Sequence, residues 1–147
     1  MRGIIYISII LIICNSCTYN IIMFKAYDYD YMKMVKYELI LPKNFKKSVV
    51  TGSHELEYNF LYSDSTVFFI SNDKKNGSFA NYERYRKYGS NINLVYVTQD
   101  TVFLEGVNKV GKFWREIKLK NVIIGYINAD SSKKVAFDNS IKNISFR

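Results

Sequence analysis

Between Ile92 and Ala129 the chain carries four short β-type segments joined by connections of one to five residues, and this spacing excludes a parallel sheet. Ile92–Thr98 and Thr101–Val107 flank Gln99-Asp100. Phe113–Lys120 and Val122–Ala129 flank Asn121, and Gly111 marks the turn between the two pairs. A parallel crossover needs a dozen or more residues, so neighbours joined this closely run antiparallel, as a meander.

Upstream, Leu56, Tyr58, Phe60 and Tyr62 share one parity against Glu57 and Asn59, Ser63-Asp64-Ser65 supplies turn chemistry, and Thr66–Ile70 returns as a β-branched and aromatic run. The pattern predicts an antiparallel hairpin over Glu55–Ser71. Tyr37, Leu39 and Leu41 alternate with Lys36 and Glu38 until Pro42, which lacks a backbone donor, ends the strand. Phe79, Tyr82 and Tyr85 recur at threes behind Ser78 and before Gly89, predicting a short helix. Phe137, Ile141 and Ile144 predict an amphipathic C-terminal helix, running to Phe146 and started near Asp130–Ser132. The expectation is an α+β domain over residues 35–147, a single antiparallel sheet of about six or seven strands with one or two packed helices. In residues 17–34, Tyr27, Tyr29 and Tyr31 alternate with Asp28 and Asp30, which suits a short edge strand or an extended spacer. The spacer is the preferred reading, making this segment a tether.

The first 17 residues carry a different signal. Arg2 precedes the apolar run Ile4–Ile13, and Cys14-Asn15-Ser16 leads into Cys17. The run falls short of the roughly 20 apolar residues that span a bilayer and has the length of a secretory h-region. The segment resembles bacterial lipoprotein signals, in which the cysteine after a lipobox is thioether-linked to diacylglycerol and the preceding peptide is removed. Ser16 fits the small residue before the cysteine, and Cys14 and Asn15 depart from the commonest box. Serine before the cysteine is found in Bacteroidetes-type lipoproteins, which the Ile, Asn, Lys and Tyr-rich composition also suits. The resemblance implies a signal peptide over residues 1–16, lipidation at Cys17, and a protein held at the cell envelope. Thr18, where Asp would favour inner-membrane retention in enteric-type sorting, points to the outer membrane. An ordinary cleaved secretory peptide, or an uncleaved anchor extended by Ile21–Phe24, are the alternatives.

A second resemblance concerns the domain itself. Tyr37-Glu-Leu-Ile-Leu-Pro42 with Phe45 is similar to the opening strand-proline-aromatic segment of PsbP/Mog1-like domains, and Phe137–Phe146 to their closing helix. That fold implies no single function.

Charge and cysteine content narrow the function classes. Lys and Arg number 21 against 13 Asp and Glu, a formal charge of +8, which becomes +7 once Arg2 leaves with the signal. The excess is dispersed in pairs such as Lys46-Lys47, Lys74-Lys75 and Lys133-Lys134, as on a solvated surface, and no nucleic-acid signature accompanies it. With Cys14 removed and Cys17 acylated, no thiol remains for a disulfide, a metal site or a nucleophile. The single His54 has no second histidine or nucleophile elbow to work with, Asp28 and Asp30 only begin a calcium loop, and phosphate-cradling glycine motifs are missing. No catalytic residue, metal or cofactor is therefore assigned.

Aromatic residues are the remaining clue, since 13 Tyr and 10 Phe exceed what one sheet needs. Trp114 shares its parity with Glu116, Lys118 and Lys120, opposite Ile117 and Leu119, which makes it the best single candidate contact residue if it faces outward, although burial by a bulge near Gly111 or a covering helix is the preferred reading. Tyr82 and Tyr85, beside Arg84 and Arg86, form a second candidate patch. The leading expectation is a non-catalytic, lipid-anchored envelope protein that binds another envelope protein. A glycan-binding module using Trp114 and tyrosines, and a small immunity lipoprotein, are the alternatives.

Overall fold

The computed structural model describes residues 19–28, 31–52, 56–72, 91–97, 101–119 and 122–147, with side chains throughout except at 91–97, 101 and 102. They form an α+β fold of two antiparallel sheets and one closing helix. The smaller sheet has the order β1 (Tyr19–Asp28), β2 (Lys33–Pro42), β10 (Ser145–Phe146). The larger contains β3 (Phe45–Thr51), β4 (Leu56–Tyr62), β5 (Val67–Ser71), β6 (Asn91–Val97), β7 (Thr101–Val107), β8 (Phe113–Leu119) and β9 (Val122–Ala129), in the order β3-β4-β5-β9-β8-β7-β6. The chain lays down β3 to β5, begins again at the opposite edge with β6, and meanders back until β9 pairs with β5.

The meander, the hairpin and the C-terminal helix stand where periodicity placed them. Ser65, at a φ of 67°, closes the β4–β5 turn, where its N–H bonds to the Tyr62 carbonyl and Asp64 Oδ1 accepts the Thr66 N–H. Gly111, at a φ of 76°, sits in the β7–β8 turn, which Asn108 ties together by accepting from the Val110 and Lys112 N–H groups. In β9, Ile127 and Asn128 together oppose Trp114, a bulge that puts Asn128 at a φ of 59°. Asn tolerates that left-handed conformation better than most residues. Its side chain also accepts from Asn108 Nδ2 at 2.9 Å, and its carbonyl accepts from the buried Thr66 hydroxyl.

Helix α1 (Ser131–Lys142) starts on Asp130, whose carboxylate accepts the Lys133 N–H at 2.9 Å and so satisfies one of the unpaired donors of the first turn. Phe137 is fully buried and meets the rings of Tyr62, Phe68 and Tyr126 at centroid distances of 5.2–5.5 Å. Ser140 donates to the Ile40 carbonyl at 2.5 Å, fastening the helix to β2. One continuous core results, filled by Phe24 and Ala26 of β1, the inward parity of β2, one face of β4, β5 and β9, and Phe137 and Ile141 of α1.

Three expectations are corrected. The tether expected over residues 17–34 is, from Tyr19 to Asp28, a strand paired along its whole length with β2. Its decisive alternation is Ile22, Phe24 and Ala26 facing the core, which the apolar residues Ile21 and Met23 on the other parity obscure. With β2 and β10 it forms a second sheet where a single one was expected. β3 was not anticipated, because a strand with exposed lysines and valines on both parities has no hydrophobic period. The closing helix ends at Lys142, capped by Asn143, so Phe146 lies in β10 and stacks 6.2 Å from Tyr37. The segment likened to an opening strand, Tyr37–Pro42, lies in the middle strand of the small sheet.

Candidate interaction surface

β3 is held by β4 on one side, and among the described residues nothing pairs with its other side. Phe45 anchors its start, with edge-on contacts to Phe60 and Tyr62. Beyond that point every residue from Lys46 to Thr51 is exposed, on both faces. Val49 and Val50, at 49% and 54% exposure, offer apolar contacts on opposite faces. Lys47 places its Nζ 3.4 Å from the Tyr58 ring centroid, and partial desolvation there lowers its pKa. Lysines on an edge strand discourage indiscriminate pairing, while the free row of N–H and C=O groups remains open to a strand of suitable charge.

The residues singled out from the sequence fare differently. Trp114 is not an exposed contact residue. It keeps the parity it shares with Glu116, but it is only 6% exposed, because the second face of the large sheet is buried as well. Phe69, Ser71, Leu104 and Ile123 are buried on that face too, and β9 is buried at five consecutive positions, Val122–Tyr126. Cys17, His54, Tyr82, Arg84, Tyr85 and Arg86 lie outside the described residues.

Glu116 was not picked out from the sequence and is the most perturbed acid on this face. It is 3% exposed, flanked by Leu104 on β7 and Gly125 on β9, and its Oε2 has no hydrogen-bond partner among the described residues. Loss of solvation raises its pKa to about 9, against a small opposing pull from Lys118. At neutral pH it is a neutral carboxylic acid. Gly125 makes room beside it: a Cβ there would collide with the Arg115 carbonyl and come within 2.7 Å of Phe69 Cζ. The signal for this burial was the unbroken apolar run of β9, which marks a strand covered on both faces.

The densest group of charges joins α1 to the sheet. Arg115 donates to Glu105 from both Nε and Nη2, and its Nη1 forms an ion pair with Asp138 Oδ1 at 2.9 Å. The same Asp138 oxygen accepts the Tyr126 hydroxyl at 2.8 Å, and Lys134 reaches Oδ2 at 2.6 Å. Burial disfavours charge on Arg115, but its two carboxylate partners outweigh that and raise its pKa, while burial and the Asp138 bond raise that of Tyr126. These groups are saturated by one another and act as a clamp on the helix.

No family model, curated protein or solved structure matches the chain. Among the described residues no group of three or more His, Cys, Asp or Glu side chains is placed to hold a metal ion, and no helix is long and apolar enough to cross a membrane.

Proposed function

We propose that this protein is an envelope lipoprotein, acylated at Cys17 and held preferentially at the outer membrane, that binds another envelope protein by accepting a strand along β3 without catalysis of its own. The observation that carries the interaction reading is β3 itself: Lys46–Thr51 exposed on both faces, with one side unpaired among the described residues. Strand addition obtains affinity from main-chain hydrogen bonds and selectivity from alternate side chains, here Val49 and Val50 with Lys46 favouring an acidic neighbour. The anchor reading is supported by the leader that ends at Cys17. The glycan alternative needed Trp114 at the surface, and its burial removes that support.

The test is site-specific photo-crosslinking in intact envelopes from Val49 and Val50, with Val110 in the β7–β8 turn, which is more exposed than either, as the control. A single protein captured from β3 and not from Val110 is the expected result; equal capture at all three positions, or none at β3, overturns the reading. Metabolic labelling with a fatty-acid analogue checks the anchor, and label persisting in Cys17→Ala would sink it.

A further inference from the structure

The outward face of the β1–β2 ribbon changes character along its length. Cross-strand pairs on this face run from Tyr19/Pro42 through Ile21/Ile40 and Met23/Glu38 to Lys25/Lys36. The pairs nearest Cys17 are apolar and open to solvent, with Ile21 66% and Ile40 45% exposed. Beyond the Met23/Glu38 pair the face turns basic at Lys25/Lys36, and Arg147 joins that row: its backbone exchanges both hydrogen bonds with Lys36 at 3.0 Å, which puts the two side chains on one face. Lys25, Lys36 and Arg147 thus form a row of like charges across the small sheet. Glu38, in the adjacent row, makes no ion pair with any of them. Like charges directly opposite one another disfavour strand pairing, and an external anion relieves that cost.

We propose that this face lies on the membrane, with Tyr19, Ile21, Met23 and Ile40 seated at the level of the head groups and Lys25, Lys36 and Arg147 against anionic lipid phosphates. The inference rests on the reading that Cys17 carries the lipid. One residue, Thr18, separates Cys17 from Tyr19, and a chain spans at most about 3.6 Å per residue, so the backbone of Cys17 lies within about 7 Å of the start of β1. No spacer remains to lift the body away from the bilayer. Apolar residues beside the anchor followed by a cationic row are the complement of an acyl boundary followed by phosphates.

The experiment uses the full lipidated protein in vesicles of phosphatidylethanolamine with phosphatidylglycerol, or of phosphatidylcholine alone. An environment-sensitive dye is attached through Ile21→Cys, Ile40→Cys or, as a control on a distant turn, Val110→Cys. Quenching by spin-labelled lipid should be severalfold stronger at positions 21 and 40 than at 110. Lys25→Gln combined with Lys36→Gln should abolish the enhancement that phosphatidylglycerol gives, without releasing the protein from the vesicles. Equal quenching at all three positions in vesicles that retain the acylated protein overturns the proposal and leaves the anchor standing. A dye at position 21 already shielded from water before vesicles are added also overturns it, and assigns the face to a protein partner or a second copy. Failure of Cys17 to incorporate fatty acid, with no flotation on vesicles, overturns the anchor reading and this inference with it.

Discussion

Burial between Leu104 on β7 and Gly125 on β9 keeps the Glu116 carboxyl protonated through the neutral range. In the unfolded chain this group ionises near 4.5, and in the folded protein near 9, so the folded state holds the extra proton between those values. Stability contributed in acid is therefore lost as pH rises through that window, by up to about 1.4 kcal/mol per pH unit. Glu116→Gln removes this titration: urea denaturation should find the variant similar to the parent at pH 5 and more stable by about 4 kcal/mol at pH 8. Asp64 has the opposite sign. Desolvation raises its pKa, but hydrogen bonds from Lys133 and Thr66 and the charge of Lys133 together outweigh it and hold it at about 2, so its contribution is present above about pH 4 and disappears as pH falls toward 2. Trp114 and Glu116 also show how far a single residue can be read from sequence. Their shared parity was legible from the alternation of β8, but not that their face is buried, which depends on what packs over it.

At the scale of elements, β1 and β9 carry the sharpest tests. Phe24 is fully buried and makes an edge-on contact with Tyr58 at 5.1 Å, so Phe24→Ala should cost about 3–5 kcal/mol in chemical denaturation, where a tether residue would cost nothing. Gly125→Ala should destabilise by about 1–3 kcal/mol in the same assay, since the Arg115 carbonyl is backbone and yields only if β8 moves. At the start of α1, Asp130→Ala should lower stability by about 1 kcal/mol through loss of the Lys133 N–H bond. The cap, the β4–β5 turn and the meander were legible because each is local: a polar residue before a helical period, or a turn between alternating runs. β3 was not, because it is held by its ladder to β4 and buries little beyond Phe45. β1 was misread because apolar residues occupy both of its parities, one facing the core and one facing outward.

For the molecule as a whole, the two ends of the described chain meet on β2, with β1 along one side and β10 on the other. Removing residues 145–147 deletes both backbone bonds to Lys36 and the Phe146 contact with Tyr37, and should cost about 2 kcal/mol, read as a lowered Tm. The sequence alone determined the antiparallel meander, the hairpin and the capped closing helix, because connection length and side-chain period act between near neighbours. It also supplied the apolar segment before Cys17, whose resemblance to lipoprotein signals is what the proposed membrane anchor rests on. Only the tertiary structure decided that there are two sheets, that β9 joins β5 and not an edge, and that Trp114 lies beneath the surface while Ile21, Ile40 and β3 lie on it. Local pattern sets which side of a strand a residue occupies, but whether that side meets solvent or protein is decided by segments distant in sequence that pack against it.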